Sequence, residues 1–173
     1  MTTPTPMATP TPMATPARFP AEYGQTPETT AQLLGWDEVS ERIAASPNYW
    51  LATTTDAGSP YLRPVDGVFV EQTLAFGGSP KTRWVRHLQQ RAEVSASLPD
   101  AEHAIILEGR AELVTDAQSP LALAVAAANR AKYPQYYTGV SALPGPFWSC
   151  RPRRVYAWSL STFPNRATRF ELE

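Results

Sequence analysis

The sequence predicts a mainly β fold, an antiparallel β-barrel with flanking helices, carried behind a Pro/Thr-rich tail. Three observations lead there. Strand-like segments rich in β-branched and aromatic residues recur from Tyr49 to Leu172. Short turn signals join many of them, as at Asp56-Ala57-Gly58-Ser59 and Glu71-Gln72-Thr73. Helical periodicity marks few stretches, and these do not alternate regularly with strands, which argues against a doubly wound parallel sheet. The length, 173 residues, favours one domain; residues 1–28 are assigned to the tail and 29–173 to the folded domain.

The start reads MTTPTP, MATPTP, MATPAR, three imperfect copies of one hexapeptide. Proline removes backbone donors and favours extended chain, so residues 1–20 are read as disordered and outside any core. Met7 and Met13 are read as candidate alternative starts. Order is expected from near Thr29. Trp36, Val39 and Ile43 recur at helical spacing behind acidic Asp37 and Glu38, and Pro47 ends that helix. Tyr49 to Thr55 reads as a strand. Tyr61 to Val70 reads as the next, with Pro64 marking an edge or bulge, and Leu74 to Phe76 returns from the Glu71–Thr73 turn. Gly77-Gly78-Ser79-Pro80 breaks the pattern before a helix from Lys81 to about Gln90. Trp84, Val85 and Leu88 share one face of it, Arg83, Arg86 and Gln90 the other, and His87 is expected partly exposed. Ala92 to Leu98 and Ala104 to Val114 alternate as strands, with Gly109 a bulge or close-approach point. Ser119-Pro120 opens a helix to about Lys132, Ser as cap and Pro at the first helical position. A long loop, Pro134 to Pro146, precedes strands at Phe147–Cys150, Val155–Leu160 and Ala167–Leu172.

Composition narrows the function classes. A formal net charge of −1 provides no global basic field for nucleic acid. No apolar run reaches the roughly 18–20 residues of a membrane span, and the N-terminus lacks the pattern of a signal peptide. The single cysteine, Cys150, permits no intrachain disulfide, which fits a reducing cytoplasm; it is read as a buried structural thiol. No His/Cys/Asp/Glu cluster has metal-ligand spacing, so no metal is expected. There is no nucleophile elbow or triad. Chemistry carried by a cofactor, which the protein binds and orients, suits a chain so poor in acid–base machinery.

The best candidate site is Gly77-Gly78-Ser79-Pro80-Lys81-Thr82. Two glycines let backbone amides approach an anion, Ser79 and Thr82 offer hydroxyls, Lys81 a charge, and a helix begins here. The same residues equally suit a plain strand-to-helix turn. Arg63 lies on a strand that a meander would bring beside this turn, where it either shares an anion with Lys81 or is a surface arginine of an edge strand. Arg151, Arg153 and Arg154 form a second basic cluster, Arg166 and Arg169 a third; such clusters are usually solvated, but one could clamp an anionic tail. Trp84, Trp148, Trp158, Phe163 and Phe170 are enough aromatic surface for a flat-ring pocket, or simply core. His103 beside Glu102 is read as an exposed loop histidine.

Taken together, Trp50-Leu51-Ala52-Thr53-Thr54, Asp56-Ala57-Gly58 and Arg63-Pro64-Val65-Asp66-Gly67-Val68 resemble the opening strands of pyridoxamine-phosphate-oxidase-like proteins. So do Ala75 to Thr82, Ile105 to Glu112, and the ending Phe163-Pro164 through Phe170. The resemblance spans about residues 36–172. It implies a split β-barrel homodimer with cofactor sites at the dimer interface. It places the cofactor phosphate at Arg63 and at Ser79, Lys81 and Thr82, and the ring along Arg63, Pro64 and Val65 and along Gly77 and Gly78. A partner subunit would close the pocket through Trp148, Trp158 or Arg169.

One departure matters. True pyridoxamine-phosphate oxidases end in an Arg-Leu-His-Asp-Arg-type substrate signature, where this chain has Arg166-Ala167-Thr168-Arg169-Phe170. The resemblance is therefore to the actinobacterial members that use FMN or the deazaflavin coenzyme F-420. Some of these reduce conjugated double bonds in tetracycline-type antibiotic intermediates. The expected activity is hydride transfer from reduced F-420 to a conjugated C=C of a small, polycyclic substrate, with a proton from water or a tyrosine. Tyr133, Tyr136 and Tyr137 would shape that pocket. An FMN-dependent oxidase or reductase is the alternative, and a non-enzymatic flavin- or haem-binding protein, with His87 or His103 as the axial ligand, the third.

Overall fold

Alternation of buried and exposed side chains decides most of the strands. The computed structural model describes residues 10–25, 32–137 and 145–172. Its elements are β1 (Ala14–Pro16), α1 (Trp36–Ala45), β2 (Tyr49–Thr54), β3 (Pro60–Val65), β4 (Gly67–Val70), β5 (Thr73–Phe76), α2 (Arg83–Gln90), β6 (Glu93–Ser97), β7 (His103–Val114), α3 (Pro120–Lys132), β8 (Phe147–Ser159) and β9 (Thr168–Glu171). In β2, Tyr49, Leu51 and Thr53 point inward while Trp50, Ala52 and Thr54 point out. β4 and β5 depart from this pattern because both of their faces are covered.

Every strand pairing is antiparallel. The main path runs β1-β9-β8-β7-β6-β2-β3, and β5 joins β4 to β8. β3 leads through Asp66 directly into β4, so the ladder closes: β8, β7, β6, β2, β3/β4, β5 and back to β8. Closure is possible because β8 is long. One edge pairs with β7 throughout; the other is divided between β5, at 148–150, and β9, at 154–157. Among the described residues the mainly antiparallel β fold, with three flanking α-helices, is the one predicted.

The barrel interior holds Tyr49, Leu51, Leu74, Phe76, Ile105, Leu107 and Val155, and α1 and α2 add Trp36, Val39, Ile43, Trp84, Val85 and Leu88 to the same core. A second core lies on the outer face of β4 and β5, where Val68 and Ala75 meet Ala122, Val125 and Tyr133 of the α3 region and Phe147. α3 begins as expected: Ser119 accepts from Ala122 N, with Pro120 next, an arrangement worth about 1 kcal/mol. The β4–β5 turn puts Glu71 and Gln72 at φ 49° and 57°, the two left-handed residues of a tight hairpin.

Several expectations need correction. The strand expected over 61–70 is two, bent at Asp66. The strands expected at 147–150 and 155–160 are one, with the register shift against β7 falling between Glu108 and Gly109. At Gly109 a Cβ would lie 2.7 Å from Cys150 Sγ, so glycine is what lets β7 and β8 close. His87 is buried, its Nδ1 3.1 Å from Thr53 Oγ1. The tail assigned to 1–28 is partly built into the fold. β1 pairs with β9, Ala17 is buried, and Gln25 Nε2 donates to Ala17 O and Pro164 O. A proline-rich segment can do this at a sheet edge, where the missing donor faces outward. The remainder of the tail, residues 1–9 and 26–28, lies outside the described residues.

Candidate functional site

The bend between β3 and β4 forms the floor of a cleft of about 510 Å³. Arg63 to Gly67 run along it beside Ala75 to Gly78, because Gly67 pairs with Phe76 and the chain then continues past Asp66. Thr82 and Trp84 at the start of α2 make one wall. Val125 and Asn129 on α3 and Tyr133 at its end, with Tyr136 and Tyr137 beyond, make the other.

Arg63 dominates the first wall. Its guanidinium carbon lies 5.6 Å from the centre of the Trp84 ring, a cation–π distance. Its Nε is buried and has no hydrogen-bond partner among the described residues. A buried guanidinium N–H left unpaired costs free energy unless a ligand accepts from it. Gly78 makes room for this pairing: a Cβ there would come within 2.6 Å of Trp84 Cη2. Gly77 and Gly78 are exposed, so their backbone is open to a ligand.

The turn that follows is held by its own side chains. Thr82 Oγ1 donates to Ser79 O at 2.7 Å, and Ser79 Oγ accepts from Lys81 N at 3.3 Å. Thr82 caps α2 without a side-chain bond, which leaves that end's backbone donors open. Thr82 lines the cleft; Ser79 and Lys81 are exposed and stand outside its lining.

On the opposite wall, Tyr133 is committed to structure. Its hydroxyl accepts from Gly67 N at 3.0 Å and lies 2.9 Å from Gly67 O and 3.0 Å from Pro47 O. Burial pushes this phenol's pKa up. Lys132 Nζ donates to Gly67 O at 2.7 Å and to Tyr49 Oη at 3.2 Å. Burial lowers its pKa to about 8, and Asp66 opposes that shift. Together the two residues tie the end of α3 to the cleft floor.

The structure therefore brings Arg63, Pro64, Val65, Gly77, Gly78, Thr82, Tyr136 and Tyr137 together in one cleft. Trp148, Trp158 and Arg169, expected from a partner subunit, do not line this chain's own cleft. Trp148 is buried in the barrel core. Trp158 packs near Phe163, ring centres 6.1 Å apart. Arg169 pairs with Glu171 at 2.9 Å, although its Nε is also buried without a partner among the described residues. The second basic cluster is largely neutralised: Arg153 binds Glu93 at 2.7 Å, and Arg154 lies between Glu108 and Glu171. Neither histidine lines the cleft; His103 pairs with Asp100 at 3.0 Å on the surface. Among the described residues no group of three or more His, Cys, Asp or Glu is placed to hold a metal, and no helix is long and apolar enough to cross a membrane.

Asp66, Ala75, Phe76, Val125, Asn129 and Phe147 also line the cleft and were not singled out from the sequence. The spacing of Val125, Asn129 and Tyr133, four residues apart, marks them as one helical stripe. Nothing local says that the stripe faces a cleft. Part of the long loop, 138–144, lies outside the described residues.

No curated protein matches the chain. Among solved structures, it is similar to the conserved hypothetical protein Rv2991 of Mycobacterium tuberculosis, with 19% identity, TM-score 0.61, and coverage of 80% of this chain and 91% of that one. It is similar to a heme binding protein of Mycobacterium smegmatis (23% identity, TM-score 0.56), covering 69% of this chain and 52% of that one, so it spans about half of that protein's length. It is also similar to a FAD-binding protein of Mesorhizobium loti, with 15% identity, TM-score 0.56, and coverage of 80% and 96%. These likenesses concern the fold. The sequence profile of the Pyridoxamine 5'-phosphate oxidase family matches residues 35–153, more than half of the chain, and the chain belongs to that family.

Proposed function

We propose that this protein is an oxidoreductase that binds a phosphate-bearing flavin-type cofactor in the Arg63 cleft. In the first reading the cofactor is coenzyme F-420 and the substrate a conjugated C=C of a small polycyclic natural product, within antibiotic biosynthesis. The observation that carries the reading is the buried Nε of Arg63, without a partner among the described residues, beside the exposed Gly77-Gly78 backbone. A donor set of this kind fits a phosphate. Arg63, the two glycines and the open start of α2 at Thr82 would hold it, with Ser79 and Lys81 at the rim. Pro64 and Val65 would flank the ring.

When bound, such a reduced cofactor supplies a hydride to the electron-poor β-carbon of the substrate. The chain's own part is to orient, exclude water and deliver a proton to the α-carbon. Tyr133 is unsuited to that last role, because its hydroxyl is engaged with the backbone of Gly67 and Pro47. Tyr136, Tyr137 or water remain.

FMN is the second reading, supported by the likeness to a FAD-binding protein. A haem reading draws on the heme-binding relative. The positions of His87, inside the core, and His103, on Asp100, weigh against axial ligation in this cleft. Homodimerisation belongs to the same proposal, with Trp158 and Arg169 as surface residues that a partner copy could use. Trp148 is buried within the protomer and offers a partner copy no surface.

Equilibrium titration with F-420 and with FMN tests the reading. Saturable binding of one of them is expected, and Arg63→Ala should weaken it about ten- to hundredfold, as for loss of a charge-assisted bond. A protein that binds neither would overturn the proposal.

A further inference from the structure

We infer that Asn129 is a specificity-determining residue whose Oδ1 accepts the imide N–H on the pyrimidine edge of the cofactor ring; this rests on the flavin-type reading above. Asn129 lies on the cleft face of α3, one turn from Val125 and one from Tyr133. Its Nδ2 donates to Val125 O at 3.0 Å. A main-chain carbonyl only accepts, so this bond fixes which end of the amide is which. The nitrogen is held against the helix, and Oδ1 is left without a hydrogen-bond partner among the described residues.

Helix stability does not account for the residue. Asparagine inside a helix is less favourable than alanine, and a bond back to the i−4 carbonyl slightly destabilises the helix. Its neighbours on the stripe cannot replace it: Val125 is apolar, and the Tyr133 hydroxyl is consumed by the β3–β4 bend. The cleft is thus polarised. The Arg63 wall presents donors, from Arg63 Nε and the glycine backbone. The α3 wall carries Asn129, whose Oδ1 is an acceptor without a partner among the described residues, and Asp66 lies on the floor. A ligand with an anion at one end and an N–H at the other satisfies both walls. FMN and F-420 share that chemistry, a phosphate on the side chain and an imide N–H on the ring.

The test removes the donor from the ligand and the acceptor from the protein. Whichever of F-420 or FMN binds the wild-type protein is titrated beside its imide-N-methylated form, against wild type and Asn129→Leu. Wild type should prefer the unmethylated cofactor about three- to tenfold, the value of one hydrogen bond, and Asn129→Leu should bind both forms alike. No preference in wild type overturns the inference, and this arm needs no substitution. A preference that persists in Asn129→Leu also overturns it, since the methyl group would then be acting through bulk alone. Failure of wild type to bind either parent cofactor is a different result and rejects the flavin-type reading itself.

Discussion

At the scale of single residues, Lys132 links the helix wall to the cleft floor. Its ammonium sits 4.8 Å from the Tyr49 ring centre and 5.4 Å from that of Tyr133, and it bonds Gly67 O. Burial lowers its pKa from 10.5 to about 8. Above about pH 8 the folded chain therefore binds fewer protons here than the unfolded chain, so stability rises with pH until the unfolded lysine also deprotonates. Tyr49 and Cys150 act in the opposite sense, since burial raises the phenol and pushes the thiol up to about 12. Their effects are common to wild type and Lys132→Met and cancel in the difference. The stability of wild type relative to Lys132→Met, from urea titrations, should increase between about pH 8 and about pH 9.5, below the ordinary tyrosine range. Equal slopes would show that Lys132 does not titrate there.

At the scale of elements, the amino-terminal arm and α3 make a contrast. α3 was legible because its signals are local: a Ser-Pro start, a periodic apolar stripe and basic Arg130 and Lys132 in its last turn. The arm was not, because proline-rich repeats carry no periodicity and their docking depends on β9, about 150 residues away. Phe19 and Tyr23 pack against Phe163, with ring centres 4.8 and 5.6 Å apart, and β1 covers the edge of β9. Removing residues 1–24 should uncover that edge and these aromatics, lowering the melting temperature and raising light scattering on heating. Unchanged melting and scattering would show that the arm contributes nothing to the fold.

At the scale of the whole molecule, barrel closure creates two different outer surfaces. Across β6 to β9, Glu93, Glu108 and Glu171 are interleaved with Arg110, Arg153, Arg154 and Arg169, which makes that surface self-neutralising. Across β2 and β3 the register sets Trp50 beside Pro64 and Ala52 beside Leu62, and Trp50 and Leu62 are 40% and 61% exposed. The proposed homodimer would cover this apolar strip, which adjoins the cleft at Arg63 and Pro64. Sedimentation of wild type should give a dimer, and Leu62→Asp should shift it toward monomer and weaken cofactor binding. A wild-type monomer at tens of micromolar removes the dimer from the proposal.

Local chemistry in the sequence determined most of the strands, the three helices with the capped start of α3, the turns and the Gly77–Thr82 segment, because alternation, helical spacing and turn residues act over a few positions. Tertiary structure alone decided that β3 bends at Asp66 and that α3 turns Asn129 toward the bend. It also decided that Arg63 finds no carboxylate among the described residues while Arg153, Arg154 and Arg169 do. These outcomes depend on which distant strands share an edge, and a residue's neighbours in sequence carry almost no information about its partners across a closed sheet.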